Sequence, residues 1–488
     1  MRIVFMCDLH LPKERQALQY NVLDWAVSEI LKNKPDCIVF AGDITCDGDV
    51  NVYCEAIEKI NETGLPFLYI PGNSDLRCEK SASILYQMAS PSRTVIDGVE
   101  IIALNDCDRK IREDQYLILD KIGDKSIVFM HHPISALEVE HQEKMQAWMT
   151  RFPQVPVFYG HLHKDIFQGN CVGLRALDPD KTIGGSPVIT FYDTEKECLE
   201  QMIYKCPVPE DLYEYFGVSC RQVEREIQFA IKNRLKYLEL RWDVLSFDFM
   251  KLKQLIGAWR NFGGENLSLH LPDVQYKNGE LIPDPGYDEL IDLAKKLHVD
   301  RFTQHVPKIT VREAREQTGA LETIADYMAE RFNGFENQIV VGIENMHMKS
   351  KEKPDESRRF GYIPEECIEF MQILQSKCKH KVGINFDIGH ARNNKPFSQS
   401  YQTSTWFALL GKHIVGYHIH QVISENGTFS NHVAITSVYD KVLSFASLFK
   451  CWKEGIINKA PFVFEMRPEG AYDTTLETFE YYRKKNDV

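Results

Sequence analysis

The feature that most constrains this chain is a repeated junction. A short apolar run, readable as a β-strand, ends in a small group of Asp, Asn or His residues. Asp8-Leu9-His10 follows the run at residues 3–7, and Gly42-Asp43 follows residues 37–41. Gly72-Asn73-Ser74-Asp75 follows residues 67–70, His131-His132 follows residues 126–130, and Gly160-His161-Leu162-His163 follows residues 155–159. Side chains two apart at a strand end point the same way, so Asp8 and His10 share a side. A dry core does not accept so many ionisable groups unless they pair or ligate metals. With helical apolar spacing at residues 18–31, these junctions predict a sheet-based layered domain with helices outside and a polar site where the strands end.

A second series begins after Lys205-Cys206-Pro207-Val208-Pro209-Glu210-Asp211, where two prolines among acids read as an interdomain joint. We therefore place a first domain at 1–206, a linker at 207–212 and a second domain at 213–488. The second domain offers eight β runs: residues 213–219, 237–240, 267–270, 301–305, 339–344, 382–387, 414–420 and 462–465. Helical patterns at 223–232, 287–296, 314–331 and 364–376 lie between them. That is the tally of a (β/α)8 barrel, whose chemistry sits at the C-terminal ends of its strands. Those ends carry His270, His305, Glu344, Asp387 with His390, His418 with His420, and Glu465, while His432 follows in a loop. Glu344, Asp387 and Glu465 converging in one barrel mouth would repel without a cation. Arg241, Arg392 and Arg467 follow strand ends as candidates to bind phosphate or carboxylate. Glu239 reads as an ordinary buried polar residue.

Composition bounds the rest. At 488 residues the chain is too long for one ordinary core, and 44% hydrophobic with 26% charged residues excludes a disordered or collagen-like chain. No apolar run reaches the roughly 18 residues of a membrane helix. Asp8 and His10 interrupt the N-terminal apolar run where a secretory signal would continue, so a cytoplasmic, membrane-free protein is expected. The 13 cysteines include no CxxC and read as buried small hydrophobes. A net charge of −13 argues against broad nonspecific nucleic-acid binding.

The first series of motifs resembles the calcineurin-like metallophosphoesterases along the whole first domain. The resemblance implies two divalent metals, Mn, Fe or Zn, about 3.5–4 Å apart. Asp8, His10, Asp43 and His163 would hold one; Asp43, Asn73, His131 and His161 would hold the other, with Asp43 bridging. Many members carry His after the Asn, where it helps the leaving oxygen. Here Ser74 stands there, and a hydroxyl is no general acid near pH 7. Either the leaving group needs little help, or another residue such as His132 supplies the proton, or the activity is degenerate; Ser74 stays a substrate-binding candidate, and Asp75 loses its usual partner.

The second series looks like the xylose-isomerase-like TIM barrels, which include sugar isomerases and epimerases and endonuclease IV. Asp387-Ile388-Gly389-His390-Ala391 and Phe464-Glu465 carry that resemblance. The isomerase pattern implies one metal on Glu344, Asp387, a strand-seven His and Glu465. The endonuclease pattern implies three zincs with additional His, and His270, His305, His390 and His432 occupy those places, although Ser430 replaces a loop Asp. His418 fits the strand-seven ligand better than His420, and both are kept. The barrel thus implies one to three divalent metals, Zn or Mn.

These readings predict an α/β chain, a layered β-sandwich metallophosphoesterase domain followed by a (β/α)8 TIM barrel. The expected function is metal-dependent hydrolysis of a phosphoester, a phosphodiester of a nucleotide or nucleic acid, with Asp43, Asn73, His132, Glu344 and Glu465 catalytic. A second reading makes the barrel a sugar or sugar-phosphate isomerase or epimerase. A third is a non-catalytic binding module stabilised by its metals. An oligomer is compatible with each.

Overall fold

The computed structural model describes residues 1–123, 125–349, 351–425 and 428–485. The chain divides into two units, Met1–Pro207 with Ser437–Ser447, and Val208–Thr436 with Leu448–Lys484. The sequence reading leaves Ser437–Ser447 in the barrel domain. Residues 207–212, read as a linker, run into a 3-10 turn at Glu210–Tyr215, with Leu212 buried.

The first unit packs two sheets face to face. One has the strand order Cys198–Ile203, Val188–Asp193, Arg2–Met6, Cys37–Ala41, Phe67–Ile70. The other runs Arg93–Ile96, Val99–Ala103, Ser126–Met130, Val157–Tyr159, Cys171–Gly173, Ile166–Gln168. Alternate residues Ile3, Phe5, Cys7, Val39 and Ala41 meet Ile101, Ala103, Ile127, Phe129 and Phe158 in one core cluster. Phe5 stacks on Phe158 with ring centroids 4.0 Å apart. The residues between, Ile102, Val128 and Met130, face outward onto Met145 and Trp148 of the helix Val139–Arg151. Both faces of these strands are covered, which is why they read as unbroken apolar runs rather than alternating ones.

Helix Leu18–Asn33 buries Leu18, Val22, Leu23, Ala26 and Ile30, a three-to-four spacing that lays one stripe on the sheet. Arg2–Met6 pairs parallel with Cys37–Ala41, which pairs parallel with Phe67–Ile70. Ser126–Met130 is parallel to both Val99–Ala103 and Val157–Tyr159. Parallel pairing brings the C-terminal ends of these strands to one edge of each sheet, and the polar junctions all emerge there.

The second unit is a closed barrel of parallel strands in sequence order: Phe216–Cys220, Tyr237–Leu240, Asn266–His270, Arg301–His305, Val340–Glu344, Lys381–Asp387, Ile414–Ile419 and Phe462–Phe464. The first strand starts later than residue 213 because the 3-10 turn after Pro209 occupies that stretch. The helix expected at 314–331 is two, Val311–Glu316 and Ala320–Asn333, separated where Gly319 takes φ +84°. Two hairpins were not anticipated, Val274–Lys277 with Glu280–Pro283 and Gln421–Glu425 with Thr428–Val433, although an Asn-Gly pair joins the strands of each in the sequence.

Candidate metal centres

In the first unit, ligand atoms of Asp8, His10, Asp43 and His163 lie within 4.8 Å of one another, all buried. His163 Nε2 is 3.5 Å from Asp8 Oδ1 and 3.5 Å from His10 Nε2. Asp43 sits between two groups. Its Oδ2 is 3.6 Å from His10 Nε2 and its Oδ1 is 3.5 Å from His131 Nε2. On the His131 side, Asn73 Oδ1 lies 3.1 Å from His131 Nε2 and 2.8 Å from His161 Nδ1. The two expected ligand sets therefore come together around one shared carboxylate.

The backbone is shaped for this. Asp8, His10, Asp43, His161 and His163 all have positive φ, between 49° and 64°. Each such conformation costs a non-glycine residue about 1–3 kcal/mol, and so many at one rim are tolerated because packing and hydrogen bonds hold them. The His161 N–H donates to both Asp8 carboxylate oxygens, at 3.1 and 2.9 Å, and the Ser74 N–H donates to Asp43 Oδ1 at 2.7 Å. Gly72 is obligatory: a Cβ there would fall 2.3 Å from Asp43 Oδ1 and 2.7 Å from His131 Cε1.

Three expectations change. The Ser74 hydroxyl is fully buried and donates to Thr45 O at 2.6 Å, so it is not turned toward a substrate. Asp75 has a full set of donors, accepting from Gly72 N, Ile44 N, Thr45 N and Thr45 Oγ1, and so ties two of the strand-end loops together. Burial and Asp43 push its carboxyl up to about 7. His132, read as a proton donor, is fully buried and braced at Nδ1 by Asp106 O at 3.0 Å. One of its ring nitrogens lies within 4.8 Å of ligand atoms of His131 and His161, and Nε2 has no hydrogen-bond partner, so it stands among the ligand candidates. Asp106, which the sequence did not flag, also accepts the backbone N–H of His131 and of His132.

The barrel mouth repeats the plan with Glu344 at its centre. Glu344 Oε2 lies 3.2 Å from His270 Nε2 and 3.1 Å from His418 Nδ1, and Oε1 lies 3.8 Å from His305 Nε2. Ligand atoms of His270, His305 and Glu344 form one group; Glu344, Asp387, His418 and Glu465 form a second; His390, His420 and His432 form a third. His418 Nδ1 is also 3.1 Å from Glu465 Oε2. His420 thus joins the loop histidines: its ring centroid is 4.2 Å from that of His432, and its Nε2 is 3.2 Å from Asp387 Oδ1.

The residues fit divalent metals, and the observation that tests the fit is the far nitrogen of each ring. Metal-ligating imidazoles use one nitrogen and anchor the other on a carbonyl or carboxylate. His131 Nδ1 lies 3.0 Å from Ala41 O, His163 Nδ1 3.2 Å from Lys181 O, and His270 Nδ1 3.0 Å from Leu271 O. His390 Nδ1 lies 3.1 Å from Asn345 O, and His432 Nδ1 3.1 Å from Glu465 O. His305 Nδ1 is 2.7 Å from Asp273 Oδ1, and Arg359 holds the other Asp273 oxygen at 3.0 Å. His418 is reversed: Nε2 lies 2.9 Å from Glu239 Oε1, leaving Nδ1 facing Glu344 and Glu465. Both Glu344 oxygens and His270 Nε2 are buried without a well-formed hydrogen bond.

Electrostatics divide the histidines: against their own burial, Asp387 and Glu344 raise His390 to about 9, and Glu239 and Glu344 raise His418, whereas others are depressed. Burial, with neighbouring imidazoles, pushes His161 and His432 down to about 2; burial and Lys181 push His163 down to about 3. These rings are neutral with a lone pair to offer. Burial and Asp43 raise Asp8, while His131 and His10 hold Asp43 low against its own burial. Two carboxylates this close share one proton unless a cation replaces it. Carboxylate with imidazole suits Mn, Fe or Zn.

The mouth arginines divide. Arg241, expected to bind substrate, is buried and paired with Glu465. Arg392 lies 5.8 Å from the Phe429 ring, and Arg467 is exposed. Sequence reasoning missed Glu239 as the anchor of His418, and missed His347, whose ring centroid is 4.7 Å from that of His390. It also missed a cavity of about 450 Å³ beside His305, lined by Trp242, Leu271, Pro272, Asp273, Asp284 and Pro285.

Residues 1–165 match the calcineurin-like phosphoesterase family, and residues 286–487 match the xylose isomerase-like TIM barrel family. The chain joins a calcineurin-like phosphoesterase domain to a xylose isomerase-like TIM barrel. Among curated proteins, it is 25% identical over 192 residues to one from Pseudoalteromonas sp. named a probable cyclic nucleotide phosphodiesterase, covering 34% of this chain and 73% of that one. It is 26% identical over 204 residues to a glycerophosphodiester phosphodiesterase of Enterobacter lignolyticus, covering 33% and 71%. Among solved structures, a D-tagatose 3-epimerase-like protein is 16% identical, covers 56% of this chain and 100% of its own, and has a TM-score of 0.37. A dimetal phosphatase from Danio rerio is 12% identical, covers 39% and 91%, and has a TM-score of 0.28. No helix among the described residues is long and apolar enough to cross a membrane.

Proposed function

We propose that the first unit hydrolyses a phosphodiester of a nucleotide or nucleic acid, and that the barrel is a second metal-dependent phosphoesterase. The observation that carries the reading is the shared carboxylate in each unit: Asp43, with Oδ2 toward His10 and Oδ1 toward His131, and Glu344, with Oε2 toward His270 and His418 and Oε1 toward His305 and His390. A carboxylate with a separate set of imidazoles on each oxygen suits two cations held close together. Curated relatives named phosphodiesterases support the diester.

Two bound divalent metals would polarise the phosphoryl group and lower the pKa of the attacking water. The chain's own residues arrange everything else. Asp8 and Asp43 stay aimed because His161 N–H and Ser74 N–H hold their oxygens. Asn73 faces the His131 and His161 side through its amide oxygen. In the barrel, Arg241 screens Glu465, and Arg467 is an exposed arginine that a phosphate could reach.

The engagement of Arg241 by Glu465 favours a second reading. It takes one cation away from the mouth, which suits a less anionic substrate such as a sugar, and an isomerase or epimerase. The test uses the full chain with Mn and bis-p-nitrophenyl phosphate. Asp43→Asn should lower turnover more than about a hundredfold, since losing even an outer-sphere partner costs 10–100-fold. Glu344→Gln should abolish a separate, slower turnover while sparing the first. Wild-type turnover unaffected by EDTA would sink the first proposal. Glu344→Gln with unchanged hydrolysis but lost ketose–aldose exchange would select the isomerase.

A further inference from the structure

The barrel has a cavity of about 350 Å³ at the other end of its strands, lined by Arg301, Lys381 and Lys459 with Asn458, Val340, Ile414, Val415, Ala460 and Pro461. Arg301 and Lys381 are the first residues of the strands that end in His305 and Asp387. At about 3.3 Å per residue, that sets the cavity some 13 Å or more from the ligand clusters. No acidic residue lines it, although the chain carries a net charge of −13.

Arg301 is half-buried, and its Nη2 donates to Val415 O, which fixes the guanidinium at the cavity wall. Among the described residues no carboxylate lies within ion-pairing distance of Arg301 or of Lys381; Lys459 pairs with Asp211 at its exposed end. Burial pushes the Arg301 guanidinium down to about 10, which still leaves it charged at neutral pH. Glu239 and Asp300 act favourably on it from beyond ion-pairing distance, and an anionic guest in the cavity would offset what remains of the cost of burying it. A guanidinium fork matches phosphate oxygens, and an ammonium adds a point charge beside it. The volume accommodates a small molecule rather than a polymer strand.

We propose that this cavity is an anion site for the phosphate group of a small molecule, contacted by Arg301 and Lys381 and separate from both metal centres. The proposal does not depend on the hydrolase reading.

The test is calorimetric titration of the full chain with inorganic pyrophosphate, first metal-loaded and then in EDTA so that the metal centres are silent. One equivalent should bind in EDTA. Lys381→Glu, an exposed position, should weaken that binding at least about tenfold. Arg301→Met should weaken it further. Melting temperature and Mn-dependent turnover should stay unchanged in Lys381→Glu. Absence of EDTA-insensitive binding, or wild-type affinity in Lys381→Glu, would overturn the assignment.

Discussion

Most of the candidate histidines do two jobs with two nitrogens, and the partner on the far side decides how well the near side works. Glu239 is the clearest case. It is buried between Thr303 Oγ1 at 2.7 Å and His418 Nε2 at 2.9 Å, and so fixes which nitrogen of His418 faces Glu344 and Glu465. Glu239→Ala should lower the barrel's metal affinity 10–100-fold, read as metal per chain after dialysis, with the first unit's metal retained. Equal metal retention in both units would refute that role. At this scale the sequence was legible for the inward-facing residues, because they follow apolar runs directly. Their anchors were not: Glu239 lies 179 positions from His418 and Asp106 lies 25 from His131, and only the folded backbone brings such pairs together.

Strands whose ends carry ligands need loops that turn sharply without filling the site. The positive φ values at Asp8, Asp43 and His161 are part of that solution, and small residues are the other part. A Cβ on Gly389 would fall 1.9 Å from His420 Cε1, so this glycine lets the helix Ile388–Arg392 pass beside the ring. Gly389→Ala should displace His420, strip metal from the group formed with His390 and His432, and lower stability by about 1–3 kcal/mol, measured by elemental analysis and thermal melting. Unchanged metal content would show that His420 is not a ligand. The strand runs were readable because coverage on both faces makes them continuously apolar. The split at Gly319 was not, since a single glycine in a helical pattern is a weak signal; the two hairpins were missed although Asn-Gly joins the strands of each, because short mixed-polarity strands carry little periodicity beside that turn dipeptide.

In each unit the ligand candidates come from that unit's own residues, so damage to one centre is expected to leave the other intact. The ordering of motifs along the chain already implied as much. What the order could not tell is how a hydroxyl or an arginine at the rim spends its hydrogen bonds, and Ser74 and Arg241 both spend theirs on the protein. The inward turn of Ser74 has a kinetic corollary. On the proposed reading Ser74 gives no proton to the departing oxygen, and bond cleavage then leans on the intrinsic acidity of the alcohol or phenol released. Across a series of aryl and alkyl diesters, log kcat should fall steeply as that alcohol becomes less acidic, and a Ser74→His substitution should flatten the slope. A flat line in the wild type would reveal a proton donor elsewhere.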